Sequence, residues 1–232
     1  MIPKIIHYCW LSDDPVPENL KKCMESWKTM LPDYEFMLWD RKRFDLDSMQ
    51  WTRQAFDARK YAFAADYIRL YAVYNHGGIY MDMDIEVVKP LDELLEKGYL
   101  LGYESNAGIE AGIFGAEKNA PWVKKCMDYY ADRSFIRENG SYDTKPLPEI
   151  LFERLEEERN TFRIMPPEYF TAKSFKTGKI NRTRNTYTIH HFAGSWVSNK
   201  QKAMTAIYDF ISNNRFLFSL YKKTYRKFIK KS

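Results

Sequence analysis

Two hydrophobic periods alternate along this chain. Residues 4–10 form a short apolar run with β-branched side chains, which predicts a buried strand. A polar, proline-bearing loop follows at 12–17, and residues 18–30 then predict a helix that stops at Pro32. Residues 34–39 return to a strand pattern. Strand, helix and strand at this spacing predict a βαβ unit and a parallel sheet. Residues 59–75 are apolar on nearly every face, which predicts a buried helix. Asn75-His76-Gly77-Gly78 ends it, because glycine tolerates the left-handed conformation beyond a helix C-terminus. Residues 79–84 predict a strand, with 86–89 as a short second one. Further strands are predicted at 99–104, 112–116, 162–165 and 187–192, and helices at 120–132 and 148–159. The chain shows no repeat or long linker. The pattern is that of a single α/β domain with a C-terminal helical tail.

Composition narrows this picture. A length of 232 residues suits one domain and buries a core without staples. Hydrophobic residues make up 45%, which argues against disorder. Cys9, Cys23 and Cys126 are too few for a disulfide framework and form no Cys-x-x-Cys pair, so a reducing compartment fits best. No stretch approaches the roughly 20 apolar residues of a membrane span, and the N-terminus does not read as a signal peptide. The expectation is a cytoplasmic protein, soluble or peripheral on the inner face of a membrane. The net charge is +5, but residues 210–232 carry seven cations and no acid. Without that window the charge falls to −2, so a basic nucleic-acid-binding domain is not indicated.

The candidate chemistry lies in the middle of the chain. Asp66 and Arg69 are the only charges between Lys60 and His76, and their spacing puts them on one helix face. Burying either one unpaired would cost several kcal/mol. One reading is an internal ion pair tying the helix to the core. The other has both in a polar pocket, with Asp66 accepting sugar or ribose hydroxyls and Arg69 donating to hydroxyl or phosphate oxygens. Asp82 and Asp84, two apart in a predicted strand, share a face opposite Met81, Met83 and Ile85. Carboxylates at a strand's end in an α/β sheet sit on the usual ligand edge. Their mutual repulsion calls for a cation between them, and oxygen ligands suit Mg²⁺ or Mn²⁺.

Asp-x-Asp alone is a weak signal, but the joint pattern is specific. Phe63-Ala64-Ala65-Asp66-Tyr67-Ile68-Arg69-Leu70-Tyr71, followed by Gly77-Gly78-Ile79-Tyr80-Met81-Asp82-Met83-Asp84, resembles the sugar-binding region of glycosyltransferase family 32. That family includes yeast-type initiating mannosyltransferases and bacterial capsule and lipopolysaccharide enzymes. The pattern is also similar to that of the large clostridial glucosylating toxins. Ile2-Pro3-Lys4-Ile5-Ile6-His7-Tyr8-Cys9-Trp10 looks like the start of the same domain. The resemblance implies a GT-A type, Rossmann-like nucleotide-sugar-binding fold with a mixed central sheet flanked by helices. It also implies a nucleotide-sugar donor, a divalent metal and retention of anomeric configuration. Residues 1–208 would form the catalytic domain and 209–232 a basic amphipathic helix.

His190-His191-Phe192-Ala193-Gly194-Ser195-Trp196 holds two of the four histidines. Neighbours on a strand point to opposite faces, so one would reach the metal. His191-x-x-Gly194 resembles the metal-binding His-x-x-Gly of related retaining transferases, which favours His191 as third ligand beside Asp82 and Asp84. Ser195 and Trp196 resemble residues that contact donor phosphates. By resemblance Trp10 stacks on the donor base; by position it is an aromatic at the C-terminal end of a parallel strand. Tyr80 either lines the nucleotide site or belongs to the core. Glu104 and Glu110 are read either as acceptor contacts or as solvated loop charges.

The metal would act as a Lewis acid on the diphosphate, with Arg69 and the Trp196 N–H as added donors. No obvious carboxylate nucleophile stands out beyond Asp66, so front-face attack is favoured over double displacement. The expected activity is hexose transfer, UDP-sugar first and GDP-mannose next, to a glycan or lipid-linked acceptor in surface-polysaccharide synthesis. A nucleotide-sugar hydrolase or metal phosphoesterase, and a non-catalytic nucleotide- or lipid-binding module, are the alternatives. The tail pairs apolar positions at helical spacing with lysines and arginines, which reads as an amphipathic helix on an anionic membrane or as a solvated terminal helix.

Overall fold

The first three elements form as the periodicity predicts: β1 (Ile5–Cys9), α1 (Glu18–Met30) and β2 (Glu35–Trp39). β1 and β2 pair in parallel from Ile5↔Glu35 to Cys9↔Trp39, which makes the expected βαβ unit. α1 buries Leu20, Cys23 and Trp27, spaced three and four apart, and the Trp27 indole donates to the Ile85 carbonyl at 2.6 Å. The computed structural model describes residues 1–105, 108–174 and 177–193. One compact unit, Met1–Phe192, contains all the elements named here.

Two helices follow. The sequence pattern assigns nothing to α2 (Gln50–Asp57), a short helix whose Trp51, Thr52 and Ala55 are buried. α3 (Tyr61–His76) is the buried helix foreseen, with Ala64 through Asp66, Ile68 through Leu70, Ala72 and Val73 all inside. It ends at Gly77 (φ 69°), whose N–H donates to the Val73 carbonyl at 2.8 Å. A Cβ at Gly77 would come within 2.8 Å of the Lys118 nitrogen, so the turn needs glycine for conformation and for space.

β3 (Gly78–Met81) is buried along its whole length and pairs in parallel with β1. The remaining elements are β4 (Ile85–Val87), β5 (Tyr99–Leu100), β6 (Tyr103–Ser105), β7 (Gly108–Ile109), β8 (Ile113–Ala116), α4 (Pro121–Met127), α5 (Leu147–Arg154) and β9 (Thr188–His190). The main sheet runs β2-β1-β3-β8-β5, with β8 antiparallel to both β3 and β5, so the sheet is mixed as expected. The strand expected at 162–165 does not form. Pro166 and Pro167 end the run, and only Met165 bridges to Gly102. Among the described residues, no helix is long and apolar enough to cross a membrane. The tail from 209, and the domain boundary drawn at 208, lie outside the described residues.

Three parallel strands end at one edge of this sheet. Trp10 follows β1, Asp40 follows β2 and Asp82 follows β3. Because β8 runs the other way, its start reaches the same edge, where the Gly112 carbonyl accepts the Asp82 N–H at 2.7 Å.

Candidate active site

Asp82-Met83-Asp84 is a turn between β3 and β4, closed by the Ile85 N–H donating to the Asp82 carbonyl at 3.0 Å, and not the continuous strand expected. The two carboxylates therefore meet through a turn, with no need for strand alternation. Asp82 closes a buried network that begins on α3. Arg69 lies 3.3 Å from Asp66 Oδ1 through Nη2 and 3.4 Å from Asp82 Oδ2 through Nη1. The same Nη1 donates to the Ala111 carbonyl at 2.8 Å, and the guanidinium stacks 4.6 Å over the Tyr80 ring. The Tyr80 hydroxyl donates to Asp82 Oδ1 at 2.7 Å.

This network bears on two readings left open by the sequence. Asp66 and Arg69 are 8% and 6% exposed and form an ion pair inside the fold. Tyr80, 2% exposed, belongs to the core and fixes Asp82. Burial outweighs the Arg69 charge and raises the Asp66 carboxyl to about 6, with Asp82 adding to the rise. The Asp82 carboxyl also rises, first through burial and then through Asp84, against the pull of Arg69. For Arg69 burial works the other way, but Asp82, Tyr80 and Asp66 together raise its pKa.

On the other side of Asp82 the register of a second, two-stranded sheet decides the histidine. β4 and β9 pair antiparallel with Ile85 opposite His190, which sets His190 beside Asp84. Its Nε2 is 3.3 Å from Asp84 Oδ1. Alternation sends His191 to the opposite face, where its Nε2 lies 2.8 Å from Glu86 Oε2 and Lys173 donates to its carbonyl. The structure thus brings His190, and not the expected His191, to the aspartate pair. Asp82, Asp84 and His190 each offer a ligand atom, and these atoms lie within 4.8 Å of one another. Two carboxylate oxygens and an imidazole nitrogen are a donor set that fits Mn²⁺ or Mg²⁺.

Glu110 was not foreseen in this corner. It is 1% exposed, which excludes the solvated-charge reading. Its Oε1 accepts the Gly112 N–H at 2.6 Å and lies 3.3 Å from His190 Nδ1. Burial lowers the His190 pKa, but Glu110 and Asp84 overcome this and hold it well above the usual imidazole range. Glu104, half-buried, is raised to about 7 by burial and by the nearby Glu110 charge. The one sequence signal for Glu110 was its spacing, two residues before a glycine at the start of a strand.

Trp10 is half-buried just past the end of β1, with its indole N–H donating to the Asp14 carbonyl at 3.0 Å. That places it on the ligand edge, as expected. Ser195 and Trp196 lie outside the described residues.

Comparison with known proteins agrees with this geometry. Residues 17–101 match the model of the glycosyltransferase sugar-binding region containing a DXD motif. Inositol phosphoceramide mannosyltransferase 3 of Schizosaccharomyces pombe is 32% identical over 126 residues, 53% of this chain and 35% of that protein. Mannosyl phosphorylinositol ceramide synthase SUR1 of Saccharomyces cerevisiae is 27% identical over 222 residues, 89% of this chain and 55% of that protein. The chain thus spans a third to a little over half of these two relatives. The PaToxG glycosyltransferase structure superposes with a TM-score of 0.52 at 21% identity, covering 68% of this chain and 70% of that one, a likeness of fold. The resemblance read from the sequence is borne out, and the fold is of the GT-A type.

Proposed function

We propose that this protein transfers mannose from a nucleotide-sugar donor to a glycolipid or glycan acceptor, a reading supported by the match of residues 17–101 to the model of the glycosyltransferase sugar-binding region containing a DXD motif. The observation that carries the reading is the meeting of Asp82, Asp84 and His190 at the C-terminal edge of the parallel strands. The names of the relatives favour mannose over the UDP-linked hexose expected from the toxin-like features. They also favour an acceptor of the inositol phosphoceramide kind over a surface polysaccharide.

In this reading Asp82, Asp84 and His190 hold a divalent cation, whose positive charge offsets the charge that develops on the departing diphosphate. Trp10 offers its indole to the donor base. Asp66 turns its small exposed edge to a sugar hydroxyl. Arg69 and Tyr80 act through Asp82, which they hold in place. Ser195 and Trp196 contact the donor phosphates. Transfer proceeds with retention: the anomeric carbon–oxygen bond to the diphosphate breaks and the acceptor oxygen bonds on the same face. The acceptor proton leaves with the diphosphate. Residues 1–208 form the catalytic domain, and the basic tail from 209 rests on an anionic membrane beside a lipid acceptor.

The test is turnover of a nucleotide-linked mannose with inositol phosphoceramide, with and without Mn²⁺, followed by proton NMR of the product anomer. Acceptor-dependent transfer with retention, absent in Asp82→Asn/Asp84→Asn, supports the proposal. Release of free sugar at the same rate without acceptor would make the protein a hydrolase. Nucleotide binding with no turnover would make it a binding module. Removal of residues 209–232 is expected to abolish binding to anionic liposomes, and unchanged binding refutes the membrane role.

A further inference from the structure

We infer that Glu110 is a positioning residue that aims His190 at the cation, an inference that rests on the metal site proposed above. Two buried polar atoms here have no hydrogen-bond partner: His190 Nδ1 and Glu110 Oε2. Leaving such atoms unpaired forfeits their hydrogen bonds to water without replacement, so native structures rarely keep them without a reason. They belong to side chains that already touch, with His190 Nδ1 3.3 Å from Glu110 Oε1 but not aligned for a hydrogen bond. The Gly112 N–H anchors that same Oε1 at 2.6 Å, which holds the carboxylate beside the imidazole.

A small turn of the ring lets Nδ1–H donate to Glu110 and leaves the Nε2 lone pair directed at the Asp82–Asp84 pair. A metal-ligating histidine commonly donates its second N–H to a carboxylate, which fixes tautomer and orientation. Gly112 makes the meeting possible. A Cβ there would come within 2.7 Å of His190 Cε1 and 2.8 Å of Glu110 Oε1. The segment Glu110-Ala111-Gly112 thereby serves both sides of the site. Glu110 holds His190, the Ala111 carbonyl holds Arg69, and the Gly112 carbonyl holds the Asp82 N–H.

Two variants separate an acceptor role from packing. Glu110→Gln keeps an oxygen for both the Gly112 N–H and His190 Nδ1–H. Glu110→Leu keeps the volume without the acceptor. Mn²⁺ affinity is read by electron paramagnetic resonance, folding by thermal melting, and the His190 tautomer by ¹⁵N NMR of the Mg²⁺-loaded protein, where four histidines keep assignment simple. The expected result is wild-type affinity within about threefold for Gln and a loss of about tenfold or more for Leu. The wild type is expected to carry a protected Nδ1–H on His190. A folded Leu variant that binds Mn²⁺ as the wild type does, or a Gln variant as weak as Leu, overturns the inference. So does a wild-type His190 that carries its proton only on Nε2, a result that holds even if the Leu variant does not fold. Absence of Mn²⁺ binding by the wild type removes the metal site itself and the positioning role with it.

Discussion

Asp82 stands between two buried clusters that treat charge in opposite ways. On the α3 side, Asp66, Arg69 and Tyr80 satisfy one another: one cation lies between two carboxylates, and the tyrosine hydroxyl completes Asp82. On the β4–β9 side, carboxylates from Asp84 and Glu110 face one imidazole, and polar atoms of Glu110 and His190 remain unmatched. The first cluster is a finished scaffold. The second brings together ligand atoms of Asp82, Asp84 and His190 that could hold a cation. A buried charge with all partners present is a scaffold; unmatched polar atoms beside it point to the corner to be tested for a ligand.

The sharpest way to break this comparison is to remove the ligand side alone. Asp82→Asn/Asp84→Asn is expected to lower Mn²⁺-dependent nucleotide-sugar turnover by more than about 100-fold, an electrostatic loss of the size that follows when a transition-state charge loses its counter-charge. Turnover within about threefold of wild type contradicts the assignment. On the scaffold side the loss falls on stability. Arg69→Met leaves Asp66 and Asp82 buried without a cation, which is expected to cost about 3–5 kcal/mol by urea denaturation. In His190→Ala the loss is expected to fall on Mn²⁺ affinity, by about tenfold or more. An Arg69→Met variant as stable as the wild type would erase the distinction between scaffold and ligand side.

A second histidine sharpens it further. His7 is fully buried on β1, but both its ring nitrogens are matched: Nε2 donates to the Gly77 carbonyl at 2.7 Å and Nδ1 accepts from the Trp39 indole at 3.0 Å. Burial drives its pKa down to about 4, despite the opposing pull of the Gly77 carbonyl, whereas His190 between carboxylates is driven up. A depressed imidazole pKa means that the unfolded chain takes up the proton first. Its stabilising contribution is therefore complete above about 6.5 and is lost as pH falls toward about 4. Across that window the loss amounts to roughly 3 kcal/mol. Denaturation series at several pH values should show a dependence that His7→Gln removes; an unchanged slope in the variant contradicts this account.

The smallest effect expected is that of Tyr80→Phe. It deletes the donor to Asp82 and should cost about 2 kcal/mol, the scale of a hydrogen bond to a charged group, with Mn²⁺ affinity reduced less than by loss of His190. A Tyr80→Phe variant as stable as the wild type would detach Tyr80 from the scaffold.

Much of the fold was legible in the sequence where local pattern decides structure. α1 forms over the predicted 18–30 because its apolar spacing is regular and prolines bound it. α3 stands out because only Asp66 and Arg69 interrupt its apolar surface. α2 escaped because eight residues with mixed charge carry too little periodicity. The strand run at 79–84 broke early because Asp82 and Asp84 form a turn. The choice between His190 and His191 was not legible, since it depends on a register between residues about 100 positions apart. Strand alternation correctly separated the two histidines onto opposite faces; only the pairing of Ile85 with His190 said which of them meets Asp84. Glu110 escaped for the same reason. Its partner His190 lies far along the chain on β9, and the glycine spacing beside it is too weak a signal to announce the pairing.

The central claim is that Asp82, Asp84 and His190 hold one divalent cation. Its most direct test is a Mn²⁺ titration followed by electron paramagnetic resonance on wild type, His190→Ala and His191→Ala. The account predicts that the wild type binds, that His190→Ala loses affinity by about tenfold or more, and that His191→Ala stays close to wild type. Weak binding by His191→Ala beside intact binding by His190→Ala would contradict it.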